Sequence, residues 1–103
     1  MGTELVIPES VIKSLNNLPR EIRLKFWEQV ERLLQNPSYP SLRNEKLAGT
    51  DEWAFSITMN YRATYYREGK RLFITAVGTH KEILGTKNGT VLFSPRLFPF
   101  VRM

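Results

Sequence analysis

The feature that most constrains this chain is the change of hydrophobic period at Trp53. From there to His80 the sequence reads as strands. Trp53, Phe55, Ile57 and Met59 alternate with Ala54, Ser56 and Thr58. After a turn at Asn60, Tyr61, Ala63 and Tyr65 alternate with Arg62, Thr64 and Tyr66. Apolar and polar residues at a period of two describe a strand with two unlike faces. Glu68-Gly69 supplies a tight hairpin turn. Leu72 to Val77 is nearly all apolar, which predicts a central strand covered on both faces. Gly78 ends it, and His80, the one histidine of the chain, follows just outside. Strands joined by turns this short can only run antiparallel, so this stretch predicts a three-stranded meander whose apolar face needs a cover.

The preceding residues supply that cover. Glu4 to Ile7 is a short apolar run suited to an edge strand, and Pro8 opens a helix. Val11, Leu15 and Leu18 share one face of that helix, which should stop near Asn16-Asn17. Pro19 restarts the chain, with Glu21 in the first turn where the helix dipole favours a negative charge. Ile22, Phe26, Val30 and Leu33 then form an apolar stripe, widened by Leu24, Trp27 and Leu34. Glu21 with Lys25 and Glu28 with Arg32 are spaced for ion pairs on the wet side. Pro37 ends the second helix. Asn36 to Asn44 reads as a loop and Ala48 to Glu52 as a turn. The expected fold is α+β: an N-terminal strand and a two-helix hairpin packed on an antiparallel sheet.

Beyond the sheet, Ile83-Leu84 is placed to close the core. Asn88-Gly89 is a turn signal and Val91 to Phe93 a short strand. Leu97, Phe98, Phe100 and Val101 are too apolar for a free tail and should pack on the domain or on a partner. A length of 103 residues makes residues 1–103 a single domain. Without cysteine there is no disulfide scaffold, thiolate metal site or thiol nucleophile. No apolar run is long enough to span a membrane, and the N-terminus has no signal-peptide pattern. Fifteen Lys and Arg against ten Asp and Glu give a net charge of +5, a field suited to RNA, DNA or an acidic protein.

In their order of strand, two helices and meander, residues 4–84 resemble the RelE/ParE superfamily of toxins from bacterial toxin–antitoxin pairs. The likeness rests on Leu42-Arg43-Asn44-Glu45-Lys46-Leu47-Ala48-Gly49 after the second helix and on Trp53 with its alternating successors. It rests further on Asn60-Tyr61-Arg62-Ala63-Thr64-Tyr65-Tyr66, similar to the family's Tyr-Arg-x-x-Tyr strand, and on Val77-Gly78-Thr79-His80-Lys81-Glu82-Ile83. Residues 85–103 are then a C-terminal extension. The resemblance implies a cytoplasmic toxin neutralised by a cognate antitoxin protein. RelE-type members are ribosome-dependent endoribonucleases that cut mRNA in the decoding site, without a metal or other cofactor. ParE-type members act on DNA gyrase without hydrolysis, and a third reading is an inactive member that only binds its antitoxin.

Metal-independent RNA cleavage needs a group to take the proton of the 2′-hydroxyl, a group to protonate the leaving 5′-oxygen, and positive charge on the phosphate. Arg62 is the expected phosphate clamp, since the family's catalytic strand carries an arginine there; its alternative is an ion pair with a carboxylate at the core edge. His80 is the expected acid or base, being the side chain that titrates near neutrality. Glu82 could orient His80 or act as a base. Ser56 or Thr58 could bind a phosphate. Tyr66 could stack on a base or pack against the sheet. Some ribosome-dependent members carry basic residues or several histidines on the strand before Tyr-Arg; here those places hold Ala54, Ser56 and Thr58, which leaves the acid–base pair incomplete. Arg43, Lys46, Arg67 and Lys81 are the expected RNA-binding residues, in a basic rim with Lys70, Arg71 and Lys87.

Overall fold

The computed structural model describes residues 3–84. The proposed turn at Asn88-Gly89, the strand at Val91 to Phe93, the apolar tail residues and Lys87 lie outside them. Five strands and three helices follow in order: β1 (Glu4–Val6), α1 (Glu9–Asn16), α2 (Arg20–Gln35), β2 (Glu45–Lys46), β3 (Trp53–Ser56), β4 (Tyr61–Glu68), β5 (Arg71–Thr79) and α3 (His80–Leu84). A 3-10 turn at Pro40–Leu42 lies between α2 and β2.

The strands form one sheet in the order β1-β5-β4-β3-β2. The meander β3-β4-β5 is antiparallel, as its short turns require. The sheet is nonetheless mixed, because β1 lies parallel to β5, with Glu4 beside Arg71 and Leu5 beside Leu72. Parallel neighbours need a long crossover, and here everything from α1 to β4 supplies it. Gly69 turns the β4–β5 hairpin at φ +62, a conformation that a side chain disfavours.

The helices lie on one face. Val11 and Leu15 of α1 and Phe26, Val30 and Leu33 of α2 pack with Phe55, Ala63, Tyr65, Leu72 and Ile74. Phe26 and Phe55 stand with ring centroids 6.4 Å apart across the layers. Burying side chains of this size contributes ~1.5–3 kcal/mol each. Both helices start directly after a proline, which takes the N-cap position with extended ψ in each case.

Four expectations need correction. Leu24 and Trp27 do not widen the apolar stripe: they are 57% and 43% exposed, on the side of α2 turned from the sheet. Lys25 pairs with Glu28 at 3.3 Å rather than with Glu21, while Glu28 and Arg32 pair as spaced. The run after Asn44 holds a short strand, β2, which the loop-like composition around it hides. Strand β3 ends at Ser56, not Met59, because local bonds close the chain into a turn. Ser56 Oγ donates to Thr58 O, and Thr58 Oγ1 accepts from Asn60 N. Met59 is therefore 75% exposed at the tip instead of sharing the face of Phe55.

Candidate functional site

Arg62 lies on β4, with Ser56 of β3 and Gly78 of β5 as its partners in register. Alternation from Tyr61, Ala63 and Tyr65, which face the helices, puts it on the opposite face. It is only 5% exposed. Its Nη2 donates to the backbone carbonyl of Arg43 at 3.2 Å, and its buried Nε has no hydrogen-bond partner among the described residues. None of the ion pairs among the described residues involves it, so the alternative of an arginine paired at the core edge is not met. Burial pulls its pKa below the usual value; Glu45 opposes the shift and Arg43 adds to it. An arginine stays charged through such a shift, so β4 carries a buried cation without a counter-charge in contact.

His80 opens α3 and is exposed. Its backbone N–H donates to Asn60 O at 2.7 Å, which ties the end of β5 to the start of β4. His80 thus follows Gly78, the register partner of Arg62, by two residues, in the first turn of α3. The expectation that Glu82 orients His80 or serves as a base is replaced by a different role. Glu82 Oε1 accepts from Thr79 N at 2.8 Å, and Thr79 Oγ1 accepts from Glu82 N at 3.0 Å. This reciprocal pair is a capping box. Its sequence signature, Thr79-His80-Lys81-Glu82, is plain once α3 is recognised as a helix. Gly78 makes room for it, since a Cβ there would stand 2.6 Å from Glu82 Oε1.

Ser56, the register partner of Arg62, donates its hydroxyl to Thr58 O in the β3–β4 turn, while the Thr58 hydroxyl accepts from Asn60 N and keeps its own proton to donate. Tyr66 stacks on Phe73 with centroids 4.8 Å apart and is 4% exposed, so its ring packs on the sheet. The same face holds a polar chain in which Thr64 Oγ1 meets Thr75 Oγ1 at 2.6 Å and Thr75 Oγ1 donates to Glu52 Oε1 at 3.2 Å.

Gln29 was not singled out from the sequence. It sits in the apolar stripe of α2 and is 2% exposed. Its Nε2 donates to Ser56 O at 2.8 Å and Ser41 O at 3.2 Å, while its Oε1 accepts from Arg32 Nη1 and Ser41 Oγ. One amide thereby fastens α2 to the Pro40–Leu42 turn and to the end of β3. The signal available beforehand was an amide at a position whose neighbours one helical turn away, Phe26 and Leu33, are core.

The basic rim divides. Arg71 pairs with Glu4 at 3.1 Å. Lys81 is exposed beside His80 on α3. Arg43 and Arg67 line an open cleft of about 610 Å³ between the 37–44 segment and the β3–β4 pair, and Lys46 sits beside it as the register partner of Trp53. Trp53 and Tyr39, 37% and 40% exposed, line the same cleft. Tyr65 closes its floor, donating from its hydroxyl to Asn44 Oδ1 at 2.9 Å. Burial pushes the Tyr65 phenol above its usual pKa, with the Asn44 bond and Arg67 opposing. Arg43 is the only non-glycine residue with positive φ (46°) among those described, and its carbonyl is the one that Arg62 holds. Among the described residues no group of three or more His, Asp or Glu converges as a metal site, and no helix is long and apolar enough to cross a membrane.

No protein-family model matches the chain, and no curated protein matches it in sequence. Solved structures do match. A YoeB/ParE toxin from Agrobacterium tumefaciens superimposes with a TM-score of 0.66 at 20% identity, over 76% of this chain and 99% of that one. The RelE–RelB complex of Pyrococcus horikoshii gives 0.64 at 25% identity, over 77% and 96%. A free-state variant of the Escherichia coli toxin RelE gives 0.63 at 22% identity, over 85% and 93%. Several of these neighbours were crystallised as toxin–antitoxin complexes.

Proposed function

We propose that this chain, which has the fold of the RelE/ParE superfamily of toxins, is the toxin of a type II toxin–antitoxin pair and a ribosome-dependent mRNA endoribonuclease. The observation that carries the reading is Arg62: a cation held in the sheet without an ion pair, in register with a glycine and at the strand end where His80 stands. A buried guanidinium with no carboxylate in contact is costly to a fold, and a scissile phosphate is an anion that would offset that cost.

In this reading the 2′-oxygen of one nucleotide attacks the adjacent phosphorus as its proton is removed. The bond to the 5′-oxygen breaks, and that oxygen gains a proton, leaving a 2′,3′-cyclic phosphate and a 5′-hydroxyl. Arg62 stabilises the charge that grows on the phosphoryl oxygens. His80, exposed at the strand end, transfers one of the two protons. The other transfer falls to the ribosome or to the mRNA, since Ser56 Oγ and Glu82 Oε1 are engaged in local bonds and the Thr58 hydroxyl, like any alcohol, is a poor acid or base near neutral pH. Partners in this reading are the cognate antitoxin, the ribosome and mRNA, in the cytoplasm. That same lack of a second proton carrier supports the alternative of a ParE-like toxin that inhibits gyrase by contact.

Inducing the chain in cells without any antitoxin, while following protein synthesis and DNA replication separately, tests both. Rapid loss of translation with cut mRNAs supports the ribonuclease; replication arrest with intact mRNA supports the gyrase inhibitor. No effect on either sinks both and leaves a chain that only binds a partner. Growth arrest that survives both Arg62→Ala and His80→Ala would overturn the site assignment.

A further inference from the structure

We propose that the cleft between the 37–44 segment and the β3–β4 pair is a second anion site that takes one nucleotide: a flat base against Trp53 and a phosphate between Arg43 and Arg67. Three observations converge there. The cleft is lined by two arginines and no carboxylate, and neither arginine is in an ion pair among the described residues. Trp53, on β3 beside the short edge strand β2, presents a partly exposed indole with no ring partner among the described residues, whereas Tyr39 already has Arg32 over its ring at 5.0 Å. The volume, about 610 Å³, falls in the range of roughly 300–1,000 Å³ typical of small-molecule sites.

An indole supplies a stacking surface for any base, and a guanidinium fork matches phosphate oxygens. Arg43 is suited to reach inward because its backbone is held in the left-handed region, with its carbonyl fixed by Arg62. An acidic peptide is the competing occupant. The structure favours the nucleotide because the adjoining sheet edge, β2, is two residues long and offers little ladder for strand addition, while the wall is formed by rings. The site lies on the helix side of the sheet and meets Arg62 only through the Arg43 carbonyl, at 3.2 Å; it does not depend on the cleavage reading.

The test uses purified protein without ribosomes, so its outcome is separate from any cleavage assay. Trp27→Phe leaves Trp53 as the only indole, and its fluorescence is titrated with AMP, with single-stranded oligoadenylate and with polyglutamate. Quenching by oligoadenylate that weakens with salt supports the proposal; equal binding of AMP identifies a free nucleotide as sufficient, and oligoadenylate alone identifies a strand. Arg67→Ala and Arg43→Gly, the latter compatible with the positive φ, are each expected to weaken binding about ten-fold, as loss of a charge-assisted phosphate contact should. Circular dichroism confirms that both variants fold. Absence of quenching, quenching indifferent to both variants, or stronger binding of polyglutamate overturns it.

Discussion

A residue kept for its chemistry is expected to weigh against the fold, and Arg62 makes this measurable. Consider Arg62→Met, which keeps an unbranched chain of similar length and removes the charge. The loss is one hydrogen bond, Nη2 to Arg43 O at 3.2 Å, and bonds from charged groups contribute about 1.5–3 kcal/mol. Arg43 is exposed, so water can take over its carbonyl and little of that penalty persists. The gain is relief from holding an ion out of water with no carboxylate in contact, and such burial costs several kcal/mol per ion. Replacing buried ions by apolar residues of similar volume is typically neutral to stabilising by ~1–4 kcal/mol. Arg62→Met is therefore expected to be as stable as the parent or more stable, by up to about 3 kcal/mol, and on the proposed reading it loses toxicity. With a urea dependence of about 1–3 kcal/mol per molar, the denaturation midpoint should hold or rise. Arg62→Lys keeps the burial cost and loses the planar fork, so it should show no gain. A loss exceeding about 1 kcal/mol in Arg62→Met would refute this reasoning and make Arg62 a fastener for the 43–44 segment.

Three further outcomes follow from the geometry. Gln29→Ala strips two donors from Ser41 and Ser56 and opens a cavity; at ~1–3 kcal/mol per unsatisfied buried group it should lose about 2–5 kcal/mol in urea denaturation. Gly78→Ala pushes the Glu82 carboxylate off Thr79 N and should lose ~0.5–2 kcal/mol, the ordinary worth of a cap, with Thr79→Ala matching it within error if the box is the cause. Tyr65 has a folded pKa raised above the usual 10. Its contribution is therefore complete below about pH 10 and is lost as pH rises through the folded value. Alkaline unfolding curves of Tyr65→Phe should lack that slope, and an unchanged slope would assign it to another group.

Much of this architecture was legible because periodicity reports burial. The switch at Trp53 gave the meander, and the prolines at 8, 19 and 37 bounded the helices within a residue or two. The errors share a cause. Leu24, Trp27 and Met59 are apolar, but apolarity does not say which of two faces meets the core, and all three are exposed. The parallel pairing of β1 was invisible because its partner lies 67 residues away in sequence, beyond any local pattern. At the candidate site, residue type and place single out Arg62 and His80 as candidates. The local hydrogen bonds of Glu82, Ser56 and Thr58 are ones that only coordinates reveal, although Thr79-His80-Lys81-Glu82 carried its capping signature openly. Gln29 escaped because a single amide in an apolar stripe looks like a lapse in the pattern rather than the junction of three elements.

The parallel union of β1 with β5 also dictates when this molecule can exist. Glu4, Leu5 and Val6 are made long before their partners Arg71, Leu72 and Phe73 on the last strand of the described sheet. Closing a loop of that size is slow relative to local pairing. A growing chain therefore carries an unmatched first strand and half-covered helices until β5 has cleared the tunnel. Until then the seam between β1 and β5 stands open, and a partner that grips either strand alone has a window in which to arrive before the sheet closes.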